Sequence, residues 1–222
     1  ILNTALKEWE WIDRVPRVCL LKTENARIRW ITKAEAIRLL GSLPGHLRYM
    51  VAFSLATGLR RNNVTGLEWS QVDLSRQVAW IHGDQSKSGR PIGVPLNSEA
   101  IAVLRGQLGK HPVYCFTYRG NKVIQVNTKA WRKGLEKAGI TNFRWHDLRH
   151  TWASWHVQSG TPIHVLQELG GWSEIKMVRR YAHLAPEHLS PFAGNICTEK
   201  VGGTFFTTPQ KSTKKAALHL VK

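Results

Sequence analysis

Apolar positions along this chain mark out a helical domain with one small sheet. Leu2, Leu6, Trp9 and Ile12 recur at helical spacing until Pro16 breaks the pattern, and a charged stretch through Lys22, Glu24, Arg27 and Arg29 follows. A compact unit begins at Thr32, where Thr32 and Glu35 form a capping box ahead of the apolar face Ala36, Leu39 and Leu40. Pro44 opens a second helix whose apolar run from Leu47 to Leu55 suits burial, and Gly58 ends it at a sharp turn. Between Val72 and Pro95 the texture changes to short β-like runs at 72–74, 78–81 and 92–94, with turns at 73–77 and 83–89. Helical patterning returns over 98–108 and 127–138, on either side of the apolar run 113–116. His146 to Gln158 reads as one helix closed by Gly160. Thr161 caps the next helix with Pro162 at its first position, and Gly170-Gly171 end it. Ser173 then caps a last helix carrying Val178, Tyr181 and Leu184. Beyond Pro191 the chain is a basic tail with little periodicity. The expected architecture is mainly α with a small three-stranded antiparallel β-sheet.

Composition adds a partner to this picture. Lys and Arg outnumber Asp and Glu 32 to 15 in 222 residues, a formal net charge of +17. Phosphate backbones, anionic membranes and acidic proteins all answer to such an excess, and nucleic acid is the commonest of them. Cys19, Cys115 and Cys197 have no close spacing, so they give neither a disulfide framework nor a metal knuckle, and a reducing cytoplasm suits them. No signal peptide and no membrane-spanning apolar run is evident. The first residue is Ile1 rather than Met, which reads as a piece of a longer protein.

Candidate chemistry clusters at element ends, where a scaffold presents side chains to a ligand. Arg60 follows Thr57-Gly58-Leu59 at the end of a buried helix. Lys87 lies in the turn Gln85-Ser86-Lys87-Ser88-Gly89, ahead of Val94-Pro95-Leu96. His146 and Arg149, in His146-Asp147-Leu148-Arg149-His150-Thr151, stand three apart and share a helix face. Leu169-Gly170-Gly171-Trp172 comes next, with Tyr181 nine residues beyond Trp172. Individually these motifs are common, but their order and spacing together are specific. From about Thr32 to Leu184 the chain resembles the tyrosine recombinase, or phage integrase, family in its catalytic domain.

That resemblance implies the recombinase catalytic-domain fold and a division into residues 1–30 (the end of a core-type DNA-binding domain and its linker), 31–189 (the catalytic domain) and 190–222 (a basic tail). It implies a site of Arg60, Lys87, His146, Arg149, Trp172 and Tyr181. Two guanidinium groups fork onto phosphate oxygens and neutralise charge building in the transition state. Tyr181 forms a 3′-phosphotyrosyl bond, Lys87 protonates the leaving 5′ oxygen and His146 assists proton transfer. These steps call for no cofactor and no metal. The implied partners are double-stranded DNA, a tetramer of protomers on two DNA sites, and accessory directionality or DNA-bending proteins.

Two positions depart from the family's common pattern. Trp172 stands where most members carry histidine, although an indole N–H still donates to a phosphate. Asn63 stands where an acidic residue is usual, three residues after Arg60. His146 and His150 at i, i+4 imitate a zinc-binding helix, but Arg149 between them repels a cation. His150 is expected to play a supporting role, packing or hydrogen bonding near Arg149. Rival readings are a type IB topoisomerase, a DNA-binding protein that has lost catalysis, and a metal-dependent nuclease.

Overall fold

The computed structural model describes residues 2–11, 13–14, 28–86 and 89–184. Lys87, Cys19, Cys197, the charged stretch 22–27 and the tail 190–222 lie outside the described residues. An N-terminal helix α1, Leu2–Lys7, is shorter than its apolar spacing suggests, and the chain turns at Glu10 with a positive φ.

The domain proper opens with α2, Lys33–Ser42. The backbone N–H of Glu35 donates to the Thr32 hydroxyl, and the backbone N–H of Thr32 donates back to the Glu35 carboxylate at 2.7 Å, so the capping box forms as expected. That bond holds the Glu35 carboxyl below its ordinary value. α3, Gly45–Thr57, buries Leu47, Met50, Val51, Phe53 and Leu55 at the centre of the main core. Gly58 ends α3 in the left-handed conformation, φ 64°, and its N–H donates to the Ser54 carbonyl. α4, Arg61–Thr65, starts at once, with Arg60 in extended conformation as its N-cap residue.

β1 (Val72–Asp73), β2 (Val78–Ile81) and β3 (Ile92–Pro95) form the antiparallel sheet in the order β1-β2-β3, with Val72 opposite Ala79 and Ile81 opposite Ile92. Ala79, Ile81 and Val94 point into the core while Trp80 faces out across the small Gly93, the alternation of a half-buried sheet. α5 (Ser98–Arg105) packs on α3, capped by the Asn97 side chain. A second hairpin, β4 (Thr117–Tyr118) with β5 (Asn121–Lys122), was not expected, because strands of two residues leave no periodicity to read. α6, Lys129–Lys137, is capped by Thr128 and packs on α2.

α7, Asp147–Gln158, runs through the middle and serves two cores. Leu148 belongs to the main one, whereas Trp152, Ala153 and Val157 build a second with Leu166, Val178 and Tyr181. Trp155 donates its indole N–H to the Ile31 carbonyl at 2.9 Å, tying the domain entrance to α7. Two end-of-chain expectations need correction. α8 is Ile163–Gly170 with Pro162 as its N-cap residue rather than Thr161, because the Thr161 hydroxyl pairs with Nδ1 of His156 at 3.0 Å instead. The last helix does not start at Ser173 and does not carry Tyr181. α9 is only Lys176–Arg179, and Tyr181 sits in the turn before a 3-10 turn at Ala182–Leu184. Val178, Tyr181 and Leu184 share a direction because a succession of turns, not one helix, delivers them to the second core.

Gly58 sets the exit of α3 towards Arg60, and a Cβ there would run into the Trp152 indole. Gly58→Ala is expected to destabilise the domain by at least about 2 kcal/mol, combining the left-handed penalty with overpacking, as read from the urea midpoint.

Candidate active site

Arg60 emerges at the α3–α4 junction, where helix-end geometry directs it into a cleft of about 900 Å³. Arg61, Arg144 and His146 share the lining with it, alongside Asn63, Gln85 and Ser86 from the β2–β3 connection. Asp84 is the carboxylate in this wall, so cations dominate it. Burial lowers the Arg60 guanidinium from its ordinary value. Ser86 directly precedes Lys87, so the described end of that connection already reaches the cleft.

Asn63 is buried, and its amide donates to the Gln85 backbone carbonyl at 2.9 Å. Gln71 donates to the Gln85 side chain at 2.8 Å and to the Trp80 carbonyl at 2.9 Å. An amide therefore braces the turn that leads to Lys87, a task that needs a donor and that a carboxylate could not perform.

Arg149 lies on the buried face of α7 and is only 4% exposed. Nη1 donates to the Gly58 carbonyl at 2.7 Å and Nη2 to the Gly170 carbonyl at 2.6 Å. One guanidinium thus joins the C-terminal ends of α3 and α8, where carbonyl dipoles converge and favour a cation. Trp172 covers it, with the guanidinium carbon 4.0 Å from the ring centroid. Burial, and then repulsion from Arg60, push Arg149 down to about 9 while Tyr181 opposes the shift, so it stays charged at neutral pH.

Trp172 follows Gly171, whose φ of 60° turns the chain out of α8. A Cβ on Gly171 would strike Ile92 of β3, so this turn is seated directly on the sheet. Trp172 stacks on Trp152, centroids 6.1 Å apart, and stands 6.2 Å from the Tyr181 ring. Tyr181 itself is 2% exposed, and its hydroxyl lies 2.6 Å from Nδ1 of His150. Burial raises the Tyr181 hydroxyl above its ordinary value, while Arg149 and Arg180 pull it back.

The sequence-predicted residues therefore divide as follows. Arg60 and His146 line the cleft, and Arg149, Trp172 and Tyr181 form a contiguous group beside it, linked through His150 and His146, whose rings meet edge to face at 5.0 Å. Lys87 lies outside the described residues. His150, expected to pack or hydrogen-bond near Arg149, is buried next to it, and the partner of its Nδ1 is the Tyr181 hydroxyl. The available signal was its place one turn after His146, which says nothing of a partner 31 residues away.

The cleft is thus cationic, with a buried arginine and a tyrosine hydroxyl beside it on a helical scaffold. The profile of the phage integrase family matches residues 29–188, and the chain belongs to that family. It is 46% identical to the integrase of Salmonella phage P22, over 97% of this chain and 58% of that protein. The catalytic domain of Haemophilus phage HP1 integrase superposes with a TM-score of 0.58 at 25% identity, covering 77% of this chain and 96% of that one. XerH recombinase, solved on its difH substrate before cleavage, shares the fold with a TM-score of 0.56 at 19% identity over 79% of this chain and 55% of its own. The chain spans little more than half the length of the curated relatives it matches.

Arg149→Lys retains the charge but cannot bridge two carbonyls, so a loss of about 2 kcal/mol of stability is expected from one forfeited charge-assisted hydrogen bond, measured by urea denaturation. A second expectation concerns pH. Burial, followed by repulsion from His146, Arg180 and Arg149 and opposed by Asp147, lowers His150 to about 4 from an ordinary 6.5. The unfolded chain therefore takes up this proton first. Stability present above pH 6.5 should be lost as the pH falls towards 4, and His150→Asn should flatten that part of the profile.

Proposed function

We propose that this chain is the catalytic portion of a site-specific recombinase that cleaves and rejoins duplex DNA through a bond between Tyr181 and a 3′ phosphate. The observation that carries this reading is the meeting of buried Arg149, Trp172 and the Tyr181 hydroxyl beside a cleft lined by Arg60 and His146. The net charge of +17 supplies sequence-independent attraction to the phosphate backbone.

In this reading the scissile phosphate enters the cleft and meets Arg60 and the outward edge of Arg149. Because the Gly58 and Gly170 carbonyls already fix the Arg149 plane, little reorganisation is needed when charge develops on phosphorus. Trp172 offers its indole N–H to a non-bridging oxygen. The Tyr181 oxygen attacks phosphorus, and the 5′ oxygen leaves with a proton supplied by Lys87 with His146 assisting. The phosphotyrosyl bond keeps the energy of the broken linkage, so an incoming 5′ hydroxyl can reverse the step on the same or another strand. Four protomers on two sites, with DNA-bending or directionality proteins beside them, complete strand exchange in the cytoplasm. Integration or excision of a phage or genomic island is the biological role that fits the phage relatives.

The test uses a pool of nicked duplexes with randomised sequence around the nick, incubated with the protein in the presence of a chelator and then denatured. Wild type should retain DNA on its 3′ phosphate, and the retained strands reveal the preferred site. Tyr181→Phe should retain none, and Arg60→Ala should slow retention by about 100-fold or more. Absence of attachment by wild type, or attachment by Tyr181→Phe, overturns the reading.

A further inference from the structure

His150 follows Arg149 on α7 and has no task in the steps above. Its side chain is buried, with Nδ1 2.6 Å from the Tyr181 hydroxyl and its ring edge-on to His146. The backbone around it is fixed, since the Ser154 hydroxyl donates to the His150 carbonyl at 2.8 Å. A bond that served packing alone would be met by any buried acceptor. Imidazole adds the capacity to take the proton. That proton must go somewhere, because a tyrosine oxygen cannot keep it while bonding to phosphorus.

We infer that His150 is the proton acceptor for Tyr181: its Nδ1 receives the hydroxyl proton as the tyrosine oxygen bonds to phosphorus, and returns it when the strand is rejoined. The inference rests on Tyr181 being the nucleophile. In cleavage the Tyr181 O–H bond and the bond from phosphorus to the 5′ oxygen break, while the bond from the tyrosine oxygen to phosphorus forms. The tyrosine proton passes to Nδ1 of the Nε2–H tautomer, giving an imidazolium, and the 5′ oxygen takes a separate proton from the Lys87 and His146 side. Two proton transfers on two sides of the phosphate thus have two different carriers.

The surroundings fix the timing. His146, Asp147 and Arg149 face His150 from its own helix, Arg180 faces it from the end of α9, and Tyr181 completes the shell. Burial and the neighbouring cations disfavour an imidazolium, and burial also disfavours a phenolate at Tyr181. Full transfer ahead of attack is therefore uphill. The proton moves within the bond-forming step, when the tyrosine oxygen loses its basicity to phosphorus and the bound phosphate offsets Arg149 and Arg180.

The experiment follows single-turnover attachment of this chain to a nicked duplex recovered from the randomised pool. His150→Asn keeps an acceptor near the Nδ1 position but is not basic. Its attachment at pH 7 should be slowed by about 100-fold and should then rise about tenfold per pH unit between pH 6 and 9, whereas wild type should vary little over that range. Gel-shift binding of the DNA should be retained. With sulfur replacing the bridging 5′ oxygen, the leaving group needs no proton, so Lys87→Ala and His146→Ala should recover while His150→Asn should not. A near-wild-type rate for His150→Asn, a loss equal at every pH, or its rescue by the sulfur substrate overturns the inference. A measurement free of any variant is the ¹⁵N spectrum of the wild-type histidines between pH 6 and 8: an unprotonated Nδ1 on His150 supports the inference, and a protonated one overturns it. Failure of wild type to attach at all strikes the nucleophile reading instead, so the two failures are distinguishable.

Discussion

A single buried guanidinium organises this domain. A cation inside a protein is tolerated only where hydrogen bonds replace lost water, and Arg149 finds them at the open carbonyl ends of two helices. The arrangement serves both parties, because those carbonyls otherwise lack intrahelical donors. It also makes Arg149 the joint at which α3, α7 and α8 are set relative to one another. Arg60 leaves α3 two residues after Gly58, and Trp172 leaves α8 two residues after Gly170, so both flanks of the site are measured from the same joint.

The opposite side is framed by amides rather than charges. Asn63, Gln71 and Gln85 tie α4 to the β2–β3 connection, which places Ser86 at the cleft wall. Together with Gly171 resting on Ile92, this fixes the sheet against both ends of the site. Phage integrase relatives share this scaffold over the described domain, as the match over residues 29–188 and the HP1 catalytic domain make plain.

How much of this was legible in sequence depends on the range of each interaction. The Thr32–Glu35 box and the Gly58 turn are local, and both stand where the residues put them. The three-stranded sheet follows from alternation and turn residues, and its register from the short connection at 73–77. The helix expected from Ser173 fails because apolar positions three apart suit a chain of tight turns as well as a helix. What separates the two is the second core, formed by partners on α7 and α8. The order of motifs put forward Arg60, Lys87, His146, Arg149, Trp172 and Tyr181 as candidates, yet not how those among the described residues are held. The carbonyl partners of Arg149 lie 91 and 21 residues away, and the histidine hydrogen-bonded to the Tyr181 hydroxyl lies 31 residues away. The usual acidic residue is absent at Asn63, and only the position of the Gln85 carbonyl explains why an amide suits that place.

Tyr181 is delivered by a succession of short turns rather than by a long helix. α9 has four residues, far fewer than a helix needs to hold itself together in water, so its order is borrowed from burial of Val178 and Tyr181 and from the bond to His150. The Tyr181 hydroxyl thus rides on a piece of chain with no helical order of its own, and its position answers to the packing of the second core while Arg149 holds the ends of α3 and α8 together.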